Sequence, residues 1–443
     1  MILQGVMPVR RTSTIPTLPP LMRSVDIANN EGIEMKLIKS LAVITTVSAV
    51  VAIKLAAAAD VGANTTVGGQ VFADFGDITQ QQNGTDVPPT GVGFDVKRGY
   101  LIVQHTFDPI WSANLTTDVQ YISSTSGTGY SNSSTTNSGG VTELFIKRLY
   151  LQARISPAFT VHAGSFTSPW DAYAESLYGY RYIEKVTTDR LGYSVTADWG
   201  LNASGIVGDN GWLTYSASAV DGGGYKNPTR TKDVDFEGAV GVKPLQWLNV
   251  GVGFYTGHLG QITEVTESYA SHTATRWNVA LGVVTDSIRV GGEYFDAKNY
   301  KTANPSTGVL SGPGGVVVAT NVTAANPTGS VVSDEADGYS LWASYAFSRQ
   351  WNIFTRYDHS TLSKNVVPSL KDQYYNAGVA FKPKPSIDLA LVYKHEKVTD
   401  GTVSISGADG NASYTIGGTG VAHTGTKTSG QFNEVGIYTQ YVF

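Results

Sequence analysis

The chain has 443 residues, with 49 Gly, no Cys, 15% charged and 11% aromatic residues, and a formal net charge of −5. Ordinary globular chains carry roughly 25% charged residues and about 7% Gly, so this one is charge-poor and Gly-rich. Without Cys it has no disulfide scaffold, thiolate metal site or cysteine nucleophile. The lack of a basic excess argues against nucleic acid as a partner, and a hydrophobic fraction of 41% sets it apart from disordered chains.

The first predicted element is an export signal. Met35-Lys36-Leu37-Ile38-Lys39 is a short basic start, 40–53 is small and apolar, and Ala57-Ala58-Ala59 offers a cleavage site before Asp60. The apolar run is shorter than the ~20 residues a membrane-spanning helix requires. We therefore expect 1–34 to be an upstream translation extension, 35–59 a signal peptide and 60–443 the mature domain. Removal of 1–59 takes away six Lys/Arg and three Asp/Glu, which moves the formal charge from −5 to −8. No helix-length apolar run follows Asp60. An exported chain that lives in lipid without spanning helices must close a barrel, because only closure pairs every backbone group.

From Asn64 onward the chain reads as strands with two-residue alternation. In 111–121, Ala113, Leu115, Thr117, Val119 and Tyr121 oppose Asn114, Thr116, Asp118 and Gln120. In 191–199, Leu191, Tyr193, Val195, Ala197 and Trp199 oppose Gly192, Ser194, Thr196 and Asp198. In 387–396, Ile387, Leu389, Leu391 and Tyr393 oppose Asp388, Lys394 and Glu396. Helical spacing would be three and four, and these segments lack it. In chain order the expected strands are 64–76, 94–107, 111–123, 143–156, 159–166, 190–200, 211–221, 234–244, 247–257, 273–285, 287–298, 337–347, 351–360, 372–382, 386–398 and 431–443. The fold class is thus all-β, an antiparallel up-and-down transmembrane barrel of about 16 strands, an even number as single-chain bacterial barrels have.

The connections alternate in length. Asp108-Pro109-Ile110, Ser156-Pro157-Ala158 and Ser348-Arg349-Gln350 are short, whereas 124–141, 167–189, 299–336 and 399–430 are long. Short periplasmic turns with long external loops are the pattern of a membrane barrel. The link 200–210 is long for the short-turn rim. Trp111, Trp199, Trp212, Trp247, Trp351, Tyr441 and Phe443 fall at or near strand ends, where aromatic girdles sit. The chain closes on Tyr441-Val442-Phe443, which resembles the terminal strand of outer-membrane proteins.

Three segments carry a family resemblance: Phe94-Asp95-Val96-Lys97-Arg98-Gly99-Tyr100-Leu101, Val161 to Trp170, and Asp189-Arg190-Leu191-Gly192-Tyr193. They resemble the bacterial outer-membrane porins, and more loosely the phosphate-selective porin O and P family. The resemblance implies a sixteen-stranded barrel, homotrimeric, narrowed by a third loop that folds inward. The expected location is the Gram-negative outer membrane, in contact with its lipid.

Alternation places eight basic residues on inward faces, among them Arg98, Arg148, Arg154, Arg276, Arg289, Arg356 and Lys394. Nine acidic residues join them, among them Asp118, Glu293, Asp358, Asp388 and Glu396. So balanced a lumen does not concentrate phosphate strongly, and the family's substrate is not carried across. The seven His are scattered without metal spacing. Asp358-His359 places its members on opposite faces, as strand neighbours do. No enzyme, cofactor or metal site is expected. The leading reading is a water-filled channel for passive diffusion of small hydrophilic solutes and ions. The alternative is an adhesin or receptor that binds through its external loops. The expected constriction is 167–189, where Trp170, Tyr173, Tyr178, Tyr180 and Tyr182 pack the loop on the wall. There Asp171, Glu175, Arg181, Glu184, Lys185 and Asp189 face a basic wall of Arg98, Arg148 and Arg154.

Overall fold

The computed structural model describes residues 59–60, 64–122, 141–208, 210–260, 273–302, 316–320, 330–365, 368–405, 414–417 and 429–443. The expected extension and signal peptide lie outside them, except for Ala59. Sixteen strands form one closed antiparallel sheet. They are β1 (Thr65–Gln82), β2 (Thr85–Thr106), β3 (Trp111–Ile122), β4 (Val141–Ser156), β5 (Phe159–Thr167), β6 (Ala197–Val207), β7 (Leu213–Val220) and β8 (Asp235–Leu245). The second half comprises β9 (Leu248–Gly257), β10 (Ala274–Val284), β11 (Ile288–Lys298), β12 (Glu335–Ala346), β13 (Trp351–Thr361), β14 (Lys371–Lys384), β15 (Ile387–Thr399) and β16 (Ser429–Val442). Each strand pairs with its neighbours in sequence, and β16 pairs with β1 from Gln70↔Val442 to Gln82↔Gly430, which removes the last open edge. The terminal Phe443 exchanges two backbone hydrogen bonds with Gly69, at 2.8 and 3.0 Å.

Alternation sorts the side chains. The outward positions expose apolar residues such as Leu149, Leu151, Leu201, Val252, Leu281, Leu341, Ile353 and Leu391. Around the short-turn rim stand Trp111, Trp212, Trp247, Trp351 and Phe443, and toward the other rim Trp277, Tyr339, Tyr357, Tyr375 and Tyr393, all exposed. Two aromatic rings that bracket an apolar band make this a lipid-facing surface. Trp199 departs from the expected girdle, since its Nε1 donates to the Tyr225 carbonyl at 3.1 Å. The inward positions carry polar and charged residues, buried wherever a loop covers them.

Two expectations are corrected. The sixth strand runs from Ala197 to Val207, not 190–200, so the long link contracts to 208–212. Leu191 and Tyr193, read as strand residues, are fully buried in the loop before it. Alternation does not tell a strand from a packed irregular segment when both bury every second side chain. The first hairpin also has no long loop: β1 and β2 extend to a two-residue turn at Asn83-Gly84, with φ of 50° and 81°. That left-handed pair matches the strand twist.

Candidate pore constriction

Between β5 and β6 the chain leaves the wall for 29 residues, 168–196, and crosses the lumen. It opens with helix α1 (Pro169–Tyr178), whose Pro stands in the first turn and whose Gly179 closes it at φ 80°. Trp170, Tyr173, Ala174 and Leu177 fall on one face, at helical spacing. That face docks in a groove made of glycines: Gly241 of β8 and Gly251 of β9 lie under Tyr173, Gly253 of β9 under Trp170, and Gly282 of β10 near Leu177. A side chain at Gly251 or Gly253 would overlap those rings. Arg289 of β11 donates to the carbonyls of Ser176 and Leu177, both at 2.6 Å, and holds the helix end.

The chain then runs to the opposite wall. Tyr180 stacks on Phe354 of β13 at 4.6 Å and donates to Asn352 Oδ1 at 2.9 Å. Tyr182 and Ile183 pack with Phe72, Tyr100 and Tyr438. Glu184 meets Lys394 of β15 at 3.2 Å. A second short helix, α2 (Thr187–Arg190), ends in the most heavily bonded side chain of the loop. Arg190 reaches Asp358, Asp372 and Glu396, on three consecutive strands, at 3.3, 2.5 and 2.9 Å, with every partner nearly inaccessible. Its guanidinium lies 4.6 Å over the Tyr374 ring. Beside it Arg356 donates to Thr187 Oγ1 and Asp358 Oδ2, at 2.9 and 2.7 Å. His359 lies outward against Tyr339, so Asp358-His359 is divided between the two faces as alternation requires.

The third wall, β2 to β4, carries two irregularities that alternation missed. The β1–β2 register passes from Phe72↔Arg98 to Ala73↔Val96 and leaves Lys97 extra. The β3–β4 register passes from Thr116↔Arg148 to Thr117↔Ile146 and leaves Lys147 extra. Each bulge turns a second cation to the inside next to an Arg. Lys97 meets Asp74 at 3.4 Å, Arg98 meets Asp118 at 3.0 Å, and Lys147 donates to Tyr100 Oη at 2.9 Å. The bulges add two cations to this wall, while Asp95 of β2, Asp235 of β8 and Asp372 of β14, all buried on inward positions, add three acids, so the barrel interior as a whole stays balanced as expected.

The expected site residues separate into three groups. Arg181, Glu175, Lys185 and Asp189 do come together: Arg181 lies 2.5 Å from Glu175 and 3.5 Å from Asp189, and Lys185 lies 3.4 Å from Asp189. Burial opposes the charge of Asp189, but Lys185, Arg181, Arg98 and Lys147 hold its carboxyl below the ordinary range. Burial lowers Lys185 in turn. Asp171 and Glu184 face away from any opening. Asp171 accepts from Ser194 at 2.6 Å inside the loop, and burial, then Asp189, raises its carboxyl well above the ordinary value. Arg148 is half-buried, with Nη1 3.5 Å from Thr167 Oγ1. Arg154 does not join the basic wall: it is exposed, six residues along β4 from Arg148, roughly 20 Å at strand rise. Sequence reading missed Arg190, Lys97 and Lys147. The helical spacing from Trp170 to Leu177 was the available sign that the loop is structured. A bulge has no comparable signature.

The solvent-facing edge of the loop consists of Ala172, Ser176 and Gly179, with Glu175 and Arg181 partly exposed beside them. Below it the inner wall of β4 to β7 presents Tyr150, Gln152, His162, Asn202 and Ser216.

No protein-family model matches the chain, and no curated protein is similar to it in sequence. Solved structures are similar in fold. The anion-selective porin from Comamonas acidovorans is 13% identical, with a TM-score of 0.54 over 86% of this chain and 99% of that one. The outer-membrane channel DcaP of Acinetobacter baumannii is 15% identical, with a TM-score of 0.51 over 88% and 100%. OmpF of Salmonella typhi, in complex with daunomycin, is 9% identical, with a TM-score of 0.50 over 86% and 98%. The closed sixteen-stranded barrel with its apolar, aromatic-bracketed outer face is the fold of outer-membrane porins.

Proposed function

We propose that the protein is an outer-membrane channel for passive diffusion of small hydrophilic solutes, narrowed by the 168–196 loop, with a preference for anions. One observation carries the reading: a loop packed across the lumen whose remaining open edge is lined by Arg181, Glu175 and, from β4, Arg148. Water along such an edge lets ions pass, and fixed charges next to it set their sign. Two cations, Arg181 and Arg148, against one acid, Glu175, along that edge favour anions, and the likeness to an anion-selective porin agrees with that preference. The finer resemblance to the phosphate-selective group rests on the three motifs; two of them, 161–170 and 189–193, lead into and out of this loop. Deletion of Ala172–Glu184 tests the constriction in planar bilayers. Single-channel conductance is expected to rise with the barrel still folded, and unchanged conductance would locate the narrowing elsewhere.

The mature chain is proposed to start at Asp60 and to assemble as a homotrimer. Amino-terminal sequencing and mass measurement of protein extracted from outer membranes check both. Recovery of 1–59, or a monomeric mass, would refute the respective statement.

A further inference from the structure

Alternation sorts the histidines of the described strands. His105, His359 and His395 share the outward side with apolar and aromatic residues; His359 lies against Tyr339, and His395 has its ring 4.9 Å from Tyr375. His162 of β5 lies on the other side, opposite Gln152 of β4 and Asn202 of β6, and is half-buried. Among the residues of the described barrel strands it is the one histidine on the lumen wall.

Its hydrogen bonds suit both protonation states. Asn202 Nδ2 donates to Ser216 Oγ, the Ala217 carbonyl and Ser218 Oγ, at 2.8, 3.2 and 3.0 Å, which fixes the amide. Asn202 Oδ1 therefore accepts from His162 Nδ1 at 3.1 Å. Gln152 Oε1 stands 3.0 Å from Nε2 and accepts from the charged ring; rotation of its amide offers a donor to the neutral one. Proton uptake demands nothing of the wall beyond that rotation. Tyr150 packs edge-on to the ring at 4.9 Å.

The charges around it give the proton a consequence. On β4 the lumen-facing titratable or charged groups are Lys147, whose ammonium is bonded to Tyr100, and Arg148, Tyr150 and Arg154. On β6 the nearest acid, Asp198, lies four residues toward the loop and is turned to the Trp199 and Gly224 amides, at 2.7 and 3.1 Å. On β7 the facing groups are Ser216 and Ser218. Arg148 and Arg154 are roughly 20 Å apart along the strand, more than twice the ~8 Å screening length at physiological salt. Their fields do not overlap in the water between them. His162 pairs with Gln152 within that interval, roughly 13 Å from the level of Arg148 and 7 Å from that of Arg154.

We propose that His162 tunes the channel's ion preference: protonated, it bridges the gap in positive charge between Arg148 and Arg154 and strengthens the preference for small anions in acid. This rests on the channel reading above. It predicts two states of one open pore that differ in ion preference, with no movement of the loop.

The test is the reversal potential of wild-type protein in planar bilayers under a KCl gradient. Between about pH 8 and about pH 5 the chloride-to-potassium permeability ratio should rise about threefold, the combined factor for attraction of chloride and repulsion of potassium by one unit charge ~6 Å from the path, at the dielectric constant of water and a screening length of ~8 Å. H162Q should hold the alkaline ratio at both pH values, and H162K the acid one. Slower electrophoretic migration after boiling than before shows that each barrel is folded. A pH-independent ratio in wild type, or a wild-type response in H162Q, would overturn the assignment while the channel reading survives. Absence of any conductance in wild type would overturn both.

Discussion

Replacing Arg190 with Met is the sharpest perturbation of the loop. The side chain keeps its bulk but loses the charge that lies between Asp358, Asp372 and Glu396, at 3.3, 2.5 and 2.9 Å. All four groups are nearly inaccessible to solvent, so water cannot replace the guanidinium unless the loop lifts. Removing one partner from a buried ion pair costs about 3–5 kcal/mol. That cost falls on the docked loop alone, since a lifted loop leaves the three carboxylates in a hydrated lumen. At 1.36 kcal/mol per decade it lowers the docked-to-lifted ratio by roughly two to four decades. Single-channel recording should then show a larger mean conductance and added noise from loop motion. R190K should fall between, because one ammonium does not span three carboxylates on three strands. R190M/D372N/E396Q should recover most of the wild-type behaviour by removing the orphaned charges. A folded R190M channel with wild-type conductance and noise would refute the view that this clamp holds the loop across the lumen.

Three further outcomes are expected. G253V, which puts a branched side chain where Trp170 lies, should unseat α1 and raise protease sensitivity within 168–196, whereas V252A, at the adjacent outward position, should not. E175Q should shift reversal potentials toward anions because Glu175 borders the open edge. E184Q, whose carboxylate is turned to Lys394, should leave selectivity unchanged and loosen the loop; equal selectivity shifts in both would contradict the geometry. Burial, then Asp189, raises the Asp171 carboxyl in the folded loop. Protonation therefore favours the docked state, which is strongest below the unfolded value and weakens as pH rises toward the folded one. Hydrogen-exchange protection of 169–194, corrected for intrinsic rates, should fall with pH in wild type and stay constant in D171N. A pH-independent wild type would refute the assignment.

Much of the barrel was legible because its code is local. Two-residue alternation with one apolar side, ended by turn residues, describes a strand whose faces see lipid and water, and sixteen such segments close without further instruction. The aromatic residues at strand ends and the terminal Phe443 are likewise readable one position at a time. The loop obeyed a different rule. Its tyrosines and charges were visible in sequence, but their partners stand on distant walls, 206 positions away for Arg190 and Glu396 and 172 for Tyr180 and Asn352. Whether Asp171, Glu184 and Glu175 point to solvent, to the wall or into the loop depends on that docking. Lys97 and Lys147 reached the lumen only because bulges shift the register, and register is a property of two strands together. His162 read as one scattered histidine of seven until the neighbouring strands placed it between Arg148 and Arg154. Sequence by itself determined the wall, since each residue there answers to its own lipid or water. Tertiary structure decided what lines the passage, because those electrostatics are sums over groups that only barrel closure brings together.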